Sequence, residues 1–184
     1  FIDLYTKSGL YLTEIVKRLN KGLEKQIPDQ HERIQWILEK QVFGVAPSNI
    51  IFNIVKNYVY GIHNDVDSNN LVEWDMAKSA QEDSITEDLK KVYGGEDMKF
   101  DVVIGNPPYQ QESIGTSDKP IYPEFMDNAY MIANKVILVT PARFLFNAGK
   151  TPKTWNQKML KDPHLKVSYY EQNSGKIFPT TDIK

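Results

Sequence analysis

Apolar residues along this chain follow two different spacings. In one, they recur three or four positions apart, as Leu12, Ile15, Val16 and Leu19 do, which predicts a helix with one buried face. In the other, they form short runs rich in β-branched and aromatic residues, which predict strands. The predicted strands are "FIDL" (1–4), "VFGVA" (42–46), "NLVEW" (70–74), "FDVVIG" (100–105), "KVILVT" (135–140) and "HLKVSYYE" (164–171).

Helical spacing separates most of these strands. Residues 78–91 form a weak helical pattern, and Thr151 is predicted to cap a later helix with Pro152 in its first turn. Strands that alternate with helices predict a doubly wound α/β fold with a mostly parallel sheet. The other predicted helix faces are Ile34, Ile37 and Leu38; Ile51, Ile54, Val55 and Tyr58, after a start at Pro47 and Ser48; and Tyr122, Phe125, Met126 and Ala129.

In doubly wound sheets, ligands bind beyond the carboxyl ends of the strands. This rule predicts that four loops share one edge of the sheet, namely residues 3–9, 46–49, 75–78 and 106–109. Binding and catalytic residues are therefore expected in these four loops.

Composition narrows the class of protein. The chain has 184 residues, of which 41% are hydrophobic, and this predicts one domain with a sizeable core. It has no cysteine, which excludes disulfides and thiolate metal sites and suits a reducing cytoplasm. Because its histidines are scattered along the sequence, no metal site is predicted. No apolar run approaches the roughly 18 residues that cross a bilayer, so no membrane partner is expected. Because the first residue is Phe1, we expect a piece of a longer polypeptide.

Charge is distributed unevenly along the chain. Residues 61–101 contain 11 acidic and 4 basic side chains, whereas residues 135–184 contain 9 basic and 3 acidic ones. Two explanations of the basic segment remain open. It is either an ordinary solvated surface or a surface that contacts a polyanion.

The segment "GNPPYQ" (105–110) follows the strongest predicted strand. Pro107 and Pro108 can neither extend the strand nor donate hydrogen bonds, so this loop is rigid and its carbonyls are free. The side-chain amide of Asn106 and the ring of Tyr109 add an acceptor and a flat apolar face. Together these groups could grip a planar ring that carries an amino group. The alternative is a rigid turn with a core tyrosine.

Asn106, Pro107, Pro108 and Tyr109 resemble motif four of the nucleic-acid methyltransferases that methylate amino groups with S-adenosylmethionine. The wider succession of "FDVVIGNPPYQ", "PIYPEFMDNAY" and "VILVTPARFLFN" resembles the adenine-N6 DNA methyltransferase region of bifunctional restriction-modification enzymes, and the resemblance covers nearly the whole chain. It implies a Rossmann-like methyltransferase fold. It also implies that residues 1–184 are a truncated catalytic core, whose target-recognition domain and any nuclease belong to other parts of the same polypeptide.

The implied reaction moves a methyl group from S-adenosylmethionine to N6 of an adenine flipped out of double-stranded DNA. The Asn106 side-chain oxygen and the Pro107 carbonyl would accept hydrogen bonds from the amine and aim its lone pair at the methyl group. Tyr109 would stack on the base, which is worth roughly 1 to 3 kcal/mol and offsets part of the cost of flipping. Pro108 completes the implied catalytic motif.

For the methyl donor, the resemblance implies binding by Asp3, Ser8 and Gly9 in "DLYTKSGLYL" (3–12) and by Asp75 in "VEWDM". For Asp3 and Asp75 the alternative is a helix cap after a strand. Phe125, at the start of a predicted helix, is expected in the core more than in the site.

The sequence departs from the family pattern at three positions near the implied donor site. Leu4 replaces a proline and Lys7 replaces a glycine in motif one, and Ala46 stands where motif two has an acid that binds the ribose hydroxyls. Ser48 or Asn49 would replace that acid only weakly.

Two alternative functions stay open. A protein-glutamine methyltransferase shares the Asn-Pro-Pro-Tyr motif, because a side-chain amide presents a similar planar amine. A non-catalytic, DNA-binding remnant of a methyltransferase is suggested by Lys7 and Ala46.

Overall fold

Five strands form a single parallel sheet in the computed structural model of the protein, which describes residues 1–63, 65–95, 98–110 and 119–178. Their order across the sheet is β3-β2-β1-β4-β5, and all neighbours are parallel. This arrangement confirms the predicted α/β class. The strands are β1 (Ile2–Asp3), β2 (Phe43–Ala46), β3 (Leu71–Glu73), β4 (Phe100–Gly105) and β5 (Ala133–Leu138).

Helices connect the successive strands, as parallel strand pairing requires. Short 3₁₀ turns cover Ala142–Phe146 and Ser174–Lys176. The helices are α1 (Leu10–Gly22), α2 (Gln30–Lys40), α3 (Asn49–Tyr60), α4 (Met76–Gln81), α5 (Ile85–Tyr93), α6 (Tyr122–Ile132) and α7 (Lys153–Lys161).

Two apolar clusters lie on the two faces of the sheet. Neighbouring strand residues alternate between them: Leu71 packs in the cluster with α1, α2 and α3, whereas Val72 packs in the cluster with α4, α5 and α6. Alternation of this kind follows from the two-residue period of a strand. Phe125 lies in the second cluster and is 1% exposed, so the prediction that it belongs to the core is confirmed.

The starts of three helices, α1, α2 and α3, follow from their local sequence. The Ser48 hydroxyl accepts a hydrogen bond from the Ile51 backbone N–H (3.5 Å) at the start of α3, as the predicted helix start requires. The Asp29 carboxylate caps α2 through the Glu32 N–H (2.8 Å). Gly9 precedes α1 in the left-handed region, with φ of +77°.

Some sequence predictions are wrong. The segment 164–171 forms no strand: Val167, Tyr169 and Tyr170 are exposed, and no neighbouring strand pairs with them among the described residues. A strand needs a partner for its backbone hydrogen bonds, and an apolar pattern alone does not supply one. The Thr151 hydroxyl does not cap α7, because it donates to the Asn156 side-chain oxygen instead (2.7 Å).

The helix predicted at residues 78–91 is interrupted, and α4 and α5 replace it. Asp83, between them, has a positive φ of 55°, which a continuous helix cannot accommodate. On α3, Val55 is buried as predicted, but Ile54 and Tyr58 are about half exposed, so the apolar stripe is only partly a core face.

The chain divides into two compact units, Phe1–Thr140 and Pro141–Lys184. The first contains the sheet and helices α1 to α6. In the second, the rings of Phe144 and Trp155 meet edge to face at 5.3 Å. None of the helices in the described residues is long and apolar enough to cross a membrane.

Candidate active site at the carboxyl edge of the sheet

The loops after β1 and β4 are neighbours, because these strands pair in parallel at the point where the strand order reverses. Ligand sites of doubly wound folds lie at such a point. All five strands are parallel, so the loops after β1, β2, β3 and β4 share one edge, as predicted. The sheet thus brings together two loops that are about 100 residues apart in the sequence.

Asp3, the last residue of β1, is a buried carboxyl group at this edge. It is 2% exposed, and its Oδ1 accepts a hydrogen bond from the Tyr5 backbone N–H (3.1 Å). Burial raises the pKa of Asp3 to about 7, although the Tyr5 N–H and the nearby Thr6 hydroxyl lower it in part. Asp3 therefore changes its charge close to neutral pH.

Gly105, the last residue of β4, packs directly against Asp3. A Cβ atom at position 105 would lie 2.6 Å from Asp3 Oδ1, so a larger residue would collide with the carboxyl group. Because Asn106 follows Gly105, the Asp3 carboxyl lies beside the start of the Asn-Pro-Pro-Tyr loop. The sheet therefore brings Asp3 and this loop together in one candidate site.

The Asn106 side chain holds an acceptor that the described part of the protein does not use. Its Oδ1 atom is buried and has no hydrogen-bond partner among the described residues. Leaving a buried polar atom unpaired costs about 1 to 3 kcal/mol, and native proteins rarely leave one so. Asn106 is therefore suited to accept a hydrogen bond from a ligand.

Tyr109 lies next to Asn106 and is half-buried. Burial and the neighbouring Tyr11 raise the pKa of the Tyr109 hydroxyl, whereas a hydrogen bond from the Asn106 side chain lowers it. The Tyr109 carbonyl accepts from the Ile121 backbone N–H (3.2 Å), which ties the loop to the start of α6. Pro107 is buried and Pro108 is partly buried. The loop is rigid because the ring of each proline fixes its backbone φ angle.

Sequence reasoning missed Tyr11, in the first turn of α1. Burial and the negative charge of Asp3 raise the pKa of the Tyr11 hydroxyl, and Tyr11 in turn raises the pKa of Tyr109. Tyr11 thus interacts electrostatically with both the acid of the first loop and the aromatic residue of the fourth. Its position two residues after Gly9 was the only sequence signal.

Residues 7–9 of the first loop have different local roles. Gly9 is buried, and a Cβ there would lie 2.9 Å from Val59 Cγ2 of α3, so packing and its positive φ both require glycine. Ser8 is exposed. The Lys7 ammonium lies 5.8 Å from the centre of the Tyr5 ring, a cation–π distance. The structure thus explains Gly9 by packing, while a role of Ser8 in ligand binding stays a prediction.

Asp75 follows β3 and is not among the residues gathered around Asp3. Its Oδ1 accepts from the backbone N–H groups of Ala77 (3.1 Å) and Lys78 (3.2 Å), so it caps α4. The helix-cap alternative is therefore correct for Asp75. Its carboxylate is exposed, so the cap does not preclude binding a ligand, and this second role stays a prediction.

Comparison with known proteins places this chain in a family. A family model described as Eco57I restriction-modification methylase matches residues 9–178. A Mycoplasma pneumoniae protein, described as an uncharacterized adenine-specific methylase, is 25% identical over an alignment of 239 positions that covers 97% of this chain and 56% of that protein. The chain thus spans about half the length of this relative. Because the family model matches most of the chain, including the Asn-Pro-Pro-Tyr loop, the protein belongs to the Eco57I restriction-modification methylase family.

Proposed function

We propose that this protein transfers a methyl group from S-adenosylmethionine to N6 of adenine in DNA, as part of a restriction-modification system. The observation that carries the proposal is the buried Oδ1 atom of Asn106, which has no partner among the described residues and belongs to a side chain in contact with the Tyr109 hydroxyl. An amine that enters this site would satisfy that acceptor. Family membership and the adenine-specific description of the Mycoplasma pneumoniae relative support DNA adenine as the source of the amine.

On the acceptor side, the chemistry requires positioning and no covalent intermediate. The N6 lone pair of adenine is delocalised into the ring. Hydrogen bonds from the amine to Asn106 Oδ1 and to the Pro107 carbonyl favour a pyramidal nitrogen whose lone pair points away from the ring. The Tyr109 ring stacks on the flipped base and offsets part of its unstacking cost.

On the donor side, the residues present fit S-adenosylmethionine, which supplies a methyl group on a positively charged sulfur. Asp3, Ser8, Gly9 and Asp75 are the proposed binding residues. The fit rests on the contact between Asp3 and Gly105, which puts a buried carboxyl group next to the amine acceptor. A carboxylate there attracts a cationic donor, and Asp3 has a pKa of about 7 that allows it to ionise at neutral pH.

The second unit supplies positive charge for a DNA partner. Several of its cationic side chains have no carboxylate partner among the described residues, and such groups attract phosphates. These side chains are Arg143, Lys150, Lys153, Lys161 and Lys166. We propose that they contact the DNA backbone, while other domains of the same polypeptide recognise the target sequence. The absence of cysteine suits the cytoplasm, where we place the reaction.

Labelled methyl transfer by the full-length protein tests the proposal. Incubation with labelled S-adenosylmethionine and duplex DNA should yield N6-methyladenine, and Asn106→Ala should abolish transfer while cofactor affinity stays nearly unchanged. Equal loss of transfer and cofactor binding would assign Asn106 a structural role. Label in a glutamine-containing peptide and not in DNA would instead support the protein-glutamine alternative. DNA binding without cofactor binding would support the non-catalytic remnant.

A further inference from the structure

The second strand ends without the acid that nucleoside-binding folds commonly place there. In such folds, a carboxylate near the end of this strand binds a ribose hydroxyl. Here β2 ends at Ala46, which is fully buried and has no polar side chain. A ribose at this edge would therefore need its carboxylate from another residue.

Glu73, the last residue of β3, lies directly beside Ala46. The two residues are partners in the parallel β2–β3 register. The Trp74 backbone N–H donates to the Ala46 carbonyl (2.8 Å), which extends the pairing past the end of β3. Glu73 is exposed, so its carboxylate is accessible at the position where β2 offers only a methyl group.

The orientation of the Glu73 carboxylate is fixed by α3. The Asn49 Nδ2 group donates to Glu73 Oε2 (3.0 Å), and Asn49 Oδ1 accepts from Asn53 Nδ2 (3.0 Å). The amide of Asn49 is thus held from both sides, with its donor directed at Glu73. The second oxygen, Glu73 Oε1, has no partner among the described residues and is available to a ligand.

A cleft of about 580 Å³ adjoins this carboxylate, and volumes of this order hold nucleoside-sized ligands. Trp74 lines the cleft and is 37% exposed, and its indole N–H donates to the Ser79 hydroxyl (3.0 Å), which fixes the ring. The cleft thus combines an oriented acceptor with an aromatic surface. Its lining includes Pro47, Glu73, Trp74, Asp75 and Lys78.

We propose that Glu73 binds the ribose hydroxyls of the methyl donor and thereby replaces the acid that β2 lacks. Asn49 acts as a positioning residue, because its neutral amide orients the Glu73 carboxylate, which supplies the charge. This inference rests on the proposed function, since it takes S-adenosylmethionine as the bound nucleoside. The family pattern places the carboxylate that binds the ribose at the end of β2, whereas here we place it at the end of β3.

Calorimetric titration of the full-length protein tests the role of Glu73 without relying on catalysis. The probes are S-adenosylhomocysteine and its analogue that lacks both ribose hydroxyls. For the unaltered protein, the analogue should bind roughly tenfold or more weakly, as expected for loss of a hydrogen bond to a charged group. Glu73→Gln should weaken S-adenosylhomocysteine by a similar factor but should change the affinity of the analogue little.

Two further variants sharpen the test. Glu32→Gln is the matched control, because Glu32 is an exposed carboxylate on α2 that does not line the cleft, and it should bind both probes as the unaltered protein does. Asn49→Ala should weaken S-adenosylhomocysteine less than Glu73→Gln does. Combined with Glu73→Gln, it should add little, because Asn49 acts through Glu73.

The outcomes separate this inference from the proposed function. Suppose that the unaltered protein binds S-adenosylhomocysteine. If Glu73→Gln then lowers the affinity for both probes equally, or for neither probe, the ribose role of Glu73 is wrong and the proposed methyl transfer stands. If the unaltered protein binds neither probe, both the donor assignment and the role of Glu73 are wrong. Loss that is confined to the probe with ribose hydroxyls supports the inference.

Discussion

Asp3→Asn should make the protein more stable at alkaline pH, because Asp3 carries a charge that is costly to bury. The substitution keeps the shape of the side chain and an oxygen for the Tyr5 N–H, but it removes the titrating group. The nearby Thr6 hydroxyl, which lowers the pKa of Asp3 in part, can accept a hydrogen bond from the new amide nitrogen. The change therefore tests the charge with little disturbance of packing.

The size of the effect follows from the pKa. The folded protein raises the pKa of Asp3 from 3.8 to about 7, so between these values the folded state holds a proton that the unfolded state has released. Stability must then fall as pH rises, by about 1.4 kcal/mol per pH unit where only the folded state is protonated. Between about pH 5 and pH 8 the loss amounts to roughly 3 kcal/mol.

Urea denaturation of both proteins over this pH range measures the effect. The free energy of unfolding of the variant, relative to the unaltered protein, should rise by roughly 3 kcal/mol from about pH 5 to pH 8. Effects on packing and hydrogen bonding shift the whole curve and cancel in this comparison. A difference between the two proteins that stays constant with pH would refute the reasoning, because Asp3 would then titrate alike in both states.

Three further predictions test the site and its frame. Tyr109→Ala should slow methyl transfer more than Tyr109→Phe in single-turnover assays, because stacking requires the ring and not the hydroxyl; equal losses would exclude stacking. Gly9→Ala should lower the free energy of unfolding by about 1 to 3 kcal/mol, because the φ of Gly9 is +77° and a Cβ there would collide with α3. Gly22→Ala is the control and should not lower it, because a Cβ at Gly22 meets open space. Equal effects of the two substitutions would contradict this. Burial raises the pKa of Asp88, but hydrogen bonds from neighbouring side chains outweigh this effect and lower the pKa to about 2. Asp88→Asn should therefore lower the free energy of unfolding at neutral pH but not near pH 2, where the folded protein also protonates Asp88. A loss of stability that is the same at every pH would contradict this.

The sheet could be predicted from the sequence because its strands are local runs of apolar residues. All five strands lie within or overlap the predicted segments, and the loops that they position were predicted with them. The Asn-Pro-Pro-Tyr loop was equally visible, because two prolines after a strand restrict the chain whatever surrounds it. These features depend on neighbours in the sequence.

The remaining features depend on neighbours in space. The segment 164–171 has an apolar pattern but no partner strand among the described residues, so the pattern predicted a strand wrongly. The pKa of Asp3 depends on how deeply β1 is buried, and Glu73 stands beside Ala46 only through the register of two strands. No single stretch of sequence contains this information.

The departures from the family pattern lie at the proposed donor side. For two of them, the structure shows a neighbouring residue that accommodates or compensates for the change. Lys7 replaces a glycine, but its ammonium is directed to the Tyr5 ring, 5.8 Å from the centre. Ala46 replaces an acid, but Glu73 lies beside it in the same register. The acceptor side keeps the full Asn-Pro-Pro-Tyr motif, with its unpaired Asn106 oxygen. A change at Glu73 should therefore alter donor affinity and leave Asn106 Oδ1 available to an amine.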